Sequence, residues 1–391
     1  MFATLALVVA ASLAGPLLAA GRRPLVPVVV GEIGAGLILG KSGFGWIDPN
    51  VVPLPSLSSI GFILLMFAAG SHIDFGSPAF RAGLRRGLAA LALVVLAAIP
   101  GAFLLVAISG VGAPAWIAVL LAGSSAAVAF PIIAEDRLDR ASVAALIAWI
   151  ALADSITVIL LPLAIGSSGS PLAAILADGL IVGLGIAVLL GGSRLRSFGP
   201  ARQMRLWSLT RGWALQLRGA LLLVFVFGAI AETWGGSQLV AGFVAGMVLA
   251  RLREPTRLAT QLSGLADGFL VPAFFVLLGA RLDLRALAGD PGALAFMVLD
   301  AAIVVVVHQV GGLALRDRRV PTALAASAQL GLPAAAATLG LQAGALTPAL
   351  AAALVGAALL TLIPATIGSF RLAEDGAGPA SIGEPAPEAT S

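Results

Sequence analysis

The stretch ASVAALIAWIALADSITVILLPLAIG, residues 141–166, decides the class of fold. It is 26 residues long, apolar throughout, and its only ionisable side chain is Asp154. An α-helix needs about 20 apolar residues to cross the hydrocarbon core of a bilayer, so this run has spanning length. A carboxylate at the centre of such a helix costs roughly 3 kcal/mol on insertion scales. An acid kept at that cost, with no basic residue in the same run, marks a candidate functional group.

The pattern extends to both ends of the chain. Of 391 residues, 60% are hydrophobic and 11% charged, with mean hydropathy +1.06. A soluble domain runs nearer half apolar and a quarter charged. Apolar segments recur at roughly 2–20, 25–41, 54–72, 87–108, 113–133, 142–166, 171–192, 217–234, 237–251, 264–280, 292–314, 321–343 and 347–369. The first lacks a basic leader region and runs straight into the second, so it reads as a span rather than a signal peptide. The expectation is an all-α polytopic membrane protein of about 13 transmembrane helices over residues 1–370. Its lipid partner is the bilayer, and a tail of disordered composition follows at 371–391. No cysteine is present, which excludes disulfides, thiolate metal sites and cysteine nucleophiles; no cofactor is called for.

A pI near 11.0 suggests nucleic acid until the basic residues are placed. Twenty of the 23 fall in one set of alternate loops, among them Arg81, Arg85 and Arg86 and the six arginines from Arg194 to Arg218. The opposite loops hold Lys41, Arg281 and Arg285. By the positive-inside rule the N-terminus lies outside and the C-terminus in the cytoplasm of a cell (inner) membrane. The basic charge is thus topological, and no nucleic-acid partner is expected. The arginine-rich connection 193–216, with Trp207 and Trp213, has the composition of an amphipathic helix on the cytoplasmic lipid surface.

Two internal matches share nearly one offset. IGAGLILG (33–40) is similar to FVAGMVLA (243–250), and LMFAAGSHID (65–74) to FFVLLGARLD (274–283). The matched segments lie seven spans apart, an odd number, so they cross the membrane in opposite directions. That is the pattern of an inverted-repeat transporter, with repeats at about 2–166 and 217–369. Two unrelated small-residue packing faces are the alternative. The repeat predicts interrupted helices near the midplane, and two segments fit. LAGSSAAVAFPIIAED (121–136) carries Ser124, Ser125 and Pro131; SAQLGLPAAAATLG (327–340) carries Gln329, Gly331 and Pro333. A proline removes one donor and frees a carbonyl, which a membrane tolerates only where protein or a wet cavity covers it. Kinked packing helices are the bland reading of both.

In order along the chain, VVVGEIGAGLILGKSGFG (28–45), IGFILLMFAAGSHID (60–74), GSSAAVAFPIIAE (123–135), SQLVAGFVAGMVLA (237–250) and FLVPAFFVLLGARLDL (269–284) resemble one family. It is the monovalent cation:proton antiporter-2, or sodium/hydrogen exchanger, family. The resemblance implies a dimeric thirteen-helix antiporter whose ion-carrying bundle moves against a dimerisation scaffold. It places Asp154 on the family's ion-binding acid. Relatives put Asp, Asn or Gln before that acid; here Ala153 stands there. Relatives also carry a lysine in the eleventh span, where this chain has LDAAIVVVVHQVGG (299–312). His308 is its expected occupant, Asp300 a second intramembrane acid, and both are candidate auxiliary charges. A hydrogen-bonded packing histidine is the alternative for His308. Eight residues of helix set it about 12 Å from Asp300 along the axis.

The chemistry implied is competition at one carboxylate. Ionised, Asp154 can bind Na⁺ or K⁺ with oxygen ligands, for which hard cations have preference; protonated, it cannot. Ser155 and Thr157 are near in sequence, and Ser124, Ser125 and freed carbonyls are further oxygens. The reading is a secondary transporter exchanging a monovalent cation for H⁺, a homodimer, and not an enzyme. A transport-inactive sensor of the same fold and an intramembrane aspartyl enzyme using Asp154 and Asp300 are the alternatives. Glu32 is expected near the cytoplasm, Glu135 and Asp136 in a surface ion-pair cluster with Arg137 and Arg140, and Glu232 and Asp267 near helix ends; Asp178, inside the seventh span, has no assigned role.

Overall fold

The computed structural model describes residues 2–20, 27–71, 78–110, 112–125, 140–165, 171–195, 203, 207, 211, 213–251, 264–315 and 319–376. Among them every regular element is helical. The first half comprises α1 (Phe2–Ser12), α2 (Ala14–Ala19), α3 (Val28–Leu39), α4 (Leu54–Ser71), α5 (Pro78–Ser109), α6 (Pro114–Leu121), α7 (Arg140–Ile165) and α8 (Pro171–Leu195). The second comprises α9 (Leu215–Trp234), α10 (Gln238–Arg251), a π-helical turn (Ala266–Leu270) leading into α11 (Val271–Arg281), and α12 (Leu284–Ala288). It continues with α13 (Pro291–Gly312), α14 (Arg319–Ala326), α15 (Gly331–Gln342) and α16 (Pro348–Gly376). Nine helical stretches among the described residues are long and apolar enough to cross a membrane, and α3 and α10 are shorter apolar helices. Length and composition alone thus pick out nine of the expected spans among the described residues; the other four, 25–41, 113–133, 237–251 and 264–280, fall on shorter or interrupted helices. The expected span 87–108 starts earlier, at Pro78, so Arg81, Arg85 and Arg86 extend the helix rather than forming a loop before it.

The repeat seen in the sequence organises the packing. α3 packs on α11 and α4 on α10. In each contact a glycine faces backbone. A Cβ on Gly36 would lie 2.0 Å from the Val276 carbonyl oxygen, and one on its repeat mate Gly246 would lie 2.1 Å from that of Phe67. The same holds for Gly279 against Ile33 (2.2 Å) and its mate Gly70 against Phe243 (2.2 Å). Each contact maps onto its partner when the offsets of 210 and 209 residues are applied, so the matched glycines are four close approaches of one pseudo-symmetric frame. In lipid, helix association rests on close van der Waals packing, and small residues let backbones meet.

The remaining helices build the second layer. α5 packs along α7 and α13, and α13 along α16. α8 and α9 are mostly exposed, with Leu172, Leu176, Leu222 and Phe225 on the surface, as expected of side chains facing lipid. On the arginine-poor face the end of α3 is tied to the end of α11. Lys41 Nζ lies 2.7 Å from Asp283 Oδ2, Ser42 Oγ donates to the Leu282 carbonyl (2.6 Å), and Leu284 N donates to Ser42 Oγ (2.9 Å). The Lys41 ammonium and the Ala286 N–H hold the Asp283 carboxyl below the usual carboxylate range.

Candidate functional site: where two interrupted helices cross

α6 ends at Leu121 and its chain runs non-helically through Gly123–Ser125. Its break thus comes well before Pro131, which lies outside the described residues with Glu135, Asp136 and Arg137. The second interruption is complete: α14 ends at Ala326, residues 327–330 are non-helical, and α15 starts at Gly331. Pro333 does not break a helix. It sits in the first turn of α15, where its missing N–H would have had no partner in the helix. Both breaks lie upstream of the prolines expected to cause them.

A helix that stops inside a membrane leaves its last carbonyls without helical partners, and each must be satisfied by protein. Here the two breaks satisfy one another. Gln329 Nε2 donates to the carbonyls of Leu120 (2.7 Å) and Gly123 (2.9 Å) at the end of α6. In return Ser124 Oγ donates to the Ala326 carbonyl (2.8 Å), and Ser125 N donates to that of Ala328 (2.8 Å). Gln329 N in turn donates to Thr361 Oγ1 on α16 (3.3 Å). All four side chains are buried, Gln329 at 2% and Thr361 at 1% exposure.

His308 on α13 closes the same junction from the side. Its Nδ1 must carry a proton, because it lies 2.8 Å from the Val304 carbonyl, which can only accept. Its Nε2 faces Ser124 Oγ (3.3 Å) and the Gly123 carbonyl. The single hydroxyl hydrogen of Ser124 goes to Ala326, so the oxygen it turns to the ring is an acceptor. Nε2 therefore looks onto acceptors, and a ring protonated at both nitrogens has a partner for each. The imidazole stacks on Trp149 of α7, centroids 5.7 Å apart at 15°. Asp300, 3% exposed on the same helix, is not the partner of His308, whose nitrogens go to Val304 and the α6 break; its Oδ1 has no hydrogen-bond partner among the described residues.

Asp154 sits on α7, 6% exposed, in the same helix as Trp149. Its sequence neighbours give their hydroxyl hydrogens to backbone carbonyls, Thr157 partly to that of Asp154 itself (3.4 Å). Ser155 Oγ donates to Ala151 O (2.6 Å) and Thr157 Oγ1 to Ala153 O (2.7 Å), bonds that leave oxygen lone pairs available as ligands. The structure thus brings Ser124, Ser125, Gln329 and His308 together through direct contacts, and links them to the Asp154 helix through Trp149. Thr361 and Trp149 were not legible as site residues; the only signals were one of three threonines and a lone indole in their apolar spans.

Asp178 also acquires a role. Its Oδ1 accepts from Ser237 N (2.8 Å) just ahead of α10, so it caps a neighbouring helix. Of the connection 193–216, the described residues Gln203, Trp207 and Arg211 are helical. The Arg211 guanidinium lies 5.8 Å from the Trp207 ring centre and 5.1 Å from that of Trp213, a cation–π arrangement on the arginine-rich face.

Three proteins are similar in sequence over about three quarters of the chain, and one solved structure is similar in fold. YjbQ of Bacillus subtilis is 30% identical over 308 residues, which cover 74% of this chain and 48% of YjbQ; the chain spans about half the length of that relative. The Na(+)/H(+) antiporter of Enterococcus hirae is 23% identical over 74% of this chain and 75% of its own length. The Na(+)/H(+)-K(+) antiporter GerN of Bacillus cereus is 23% identical over 78% and 77%. The fold is similar to that of the sodium proton antiporter MjNhaP1 from Methanocaldococcus jannaschii, solved at pH 8. The TM-score is 0.65 at 17% identity, covering 95% of this chain and 98% of that one. The model of the transmembrane sodium/hydrogen exchanger matches residues 7–373, and with its paired interrupted helices and apolar bundle the chain belongs to that family of multi-pass membrane proteins.

Proposed function

We propose that the protein exchanges a monovalent cation, Na⁺ or K⁺, for H⁺ across the membrane by alternating access, with Asp154 binding either cation or proton. The observation that carries this reading is a buried carboxylate on a helix tied to the crossing of two interrupted helices whose broken ends are otherwise closed by neutral hydrogen bonds. Gln329, Ser124 and the Ser125 N–H take up the carbonyls of Leu120, Gly123, Ala326 and Ala328, which leaves the Asp154 carboxylate as the charged group offered to a cation there. A cation drawn there finds hard oxygen ligands from Thr157, Ser155 and Ser124, the class of site that alkali cations take. Two similar proteins are named for Na⁺/H⁺ and Na⁺/H⁺–K⁺ antiport, which supports the same substrates here.

His308 is the candidate auxiliary group of this scheme, with Nδ1–H given to Val304 and Nε2 facing the α6 break. Both ring nitrogens face acceptors, so gain of a proton there tightens the tie between α13 and the α6 break. The exchange is obligatory if loaded and protonated carriers rock and an empty, charged one does not. The frame built on the four glycines is the scaffold, and the exposed apolar helices α8 and α9 packed beside it give a second copy a surface for a homodimer. The 20-to-3 distribution of basic residues sets the N-terminus outside and the C-terminus in the cytoplasm of a cell membrane.

The test is dequenching of a pH-sensitive dye in proteoliposomes on addition of Na⁺, Li⁺ or K⁺. The wild-type protein gives cation-driven alkalinisation, and Asp154→Asn abolishes it while the variant still elutes as a folded species. Wild-type-like exchange by Asp154→Asn sinks the assignment of the carboxylate. A wild-type protein that moves no protons with any of the three cations sinks the exchange itself.

A further inference from the structure

Two cavities open on the arginine-poor face, one on either side of the end of α15, and Gln342 lines both. They differ in charge. The larger, about 720 Å³, has Lys41 and Arg281 among its walls, with Asp48 as the only acid, and the Arg281 Nε is buried without a hydrogen-bond partner among the described residues. The smaller, about 260 Å³, lies between the ends of α7, α9 and α15 and the starts of α8 and α10. Among the described residues its ionisable walls are Asp178 and Glu232, both acidic. With Lys41 paired to Asp283, the wide cavity is of mixed charge, whereas the narrow one attracts cations.

The narrow cavity also holds an unsatisfied oxygen. Ser237 is 4% exposed and lines the wall, and its Oγ has no hydrogen-bond partner among the described residues. The Ser237 N–H is already given to Asp178 Oδ1, which places hydroxyl and carboxylate side by side. The WGGS turn makes this approach possible. Gly235 adopts φ 72°, and a Cβ on Gly236 would stand 2.9 Å from Asp178 Oδ1. A buried hydroxyl left unmatched is unfavourable unless a water or an ion completes it. A carboxylate and an unmatched hydroxyl oxygen, with Gln238 and Gln342 in the same wall, supply the class of oxygen donors that a hard monovalent cation takes.

We propose that Asp178 and Ser237, with Glu232 at the mouth, form a second monovalent-cation site on the arginine-poor face, where the ion docks before it reaches Asp154. The cavity wall includes Pro162 on the Asp154 helix, so the two sites are about 12 Å apart along α7. The inference rests on cation exchange at Asp154. It assigns that face an acidic entrance distinct from the wider cavity of mixed charge.

The test uses sided proteoliposomes with Na⁺ varied on one face at a time, comparing wild type with Asp178→Asn and Ser237→Ala. Asn keeps an oxygen for the Ser237 N–H, so the cap persists while the charge is lost. The expected result is a rise of about fivefold in KM for Na⁺ on the arginine-poor face, the order given by removing one hydrated charge, with KM on the other face unchanged. An unchanged KM, or an equal change on both faces as a purely structural cap would give, overturns the proposal. A second measurement separates it from the exchange reading. Calorimetric Na⁺ binding to Asp154→Asn should persist and disappear in the Asp154→Asn, Asp178→Asn double variant. No residual binding in Asp154→Asn overturns the second site even where exchange by the wild type is intact.

Discussion

The glycine frame and the helix crossing are both products of the same repeat, yet they obey it differently. In the frame, every close contact has a mate: Gly36 on Val276 answers Gly246 on Phe67, and Gly279 on Ile33 answers Gly70 on Phe243. At the crossing the two halves exchange unlike groups. The first break gives a serine hydroxyl and a backbone N–H; the second gives one glutamine amide that serves two carbonyls. His308 attends the first break alone. Packing that needs only absence of a side chain can be duplicated by symmetry. A site that must hold one charge in one place cannot, since a symmetric pair of polar groups would divide it.

This contrast can be broken most forcefully at the frame. Gly36→Ala and Gly246→Ala each drive a Cβ into backbone, so each should cost at least about 3 kcal/mol and by similar amounts. Thermal melting in detergent checks it; one tolerated and one intolerant glycine of the pair would show that the frame is not symmetric. At the crossing, Gln329→Leu leaves the Leu120 and Gly123 carbonyls buried without donors. A loss of about 2 to 4 kcal/mol is expected, one of the larger effects of a single neutral substitution. A variant that melts like wild type would mean water replaces the amide. The smallest effect separates two adjacent serines. Ser124→Ala removes the donor to Ala326 and should cost about 1 to 2 kcal/mol, whereas Ser125→Ala keeps its N–H bond to Ala328 and should stay within about 0.5 kcal/mol. Equal losses would mean that the Ser125 hydroxyl has a role beyond this tie.

Much of the frame was legible before any coordinates, and the reason lies in residue type. Gly36 and Gly246 occupy equivalent places in two apolar runs, and glycine in such a run has few uses besides close approach. The helices 54–71, 140–165 and 238–251 fall within a residue or two of the apolar runs that predicted them. The breaks were less legible. Prolines 131 and 333 drew attention, but α6 stops ten residues before the first, and the second starts a helix instead of ending one. A proline states where a helix cannot continue; it does not state where the chain will stop when a neighbour offers better partners for its carbonyls. Asp178 is the same lesson on the surface of the bundle. Nothing within LADGLIV announces that its carboxylate caps a helix 59 residues away.

By itself the sequence determined that this chain lives in a bilayer, that its two halves share a pattern, and that Asp154 is an acid maintained against the cost of hydrocarbon. These follow from composition and periodicity, which act locally and need no knowledge of neighbours. Only the tertiary structure decided which groups close the broken ends, that His308 faces the α6 break and not Asp300, and that an acidic cavity and a wider one of mixed charge lie on opposite sides of α15. Those facts depend on hydrogen bonds and field shape between residues some 180 to 240 positions apart in some cases, and such bonds form only where the packed helices place donor against acceptor.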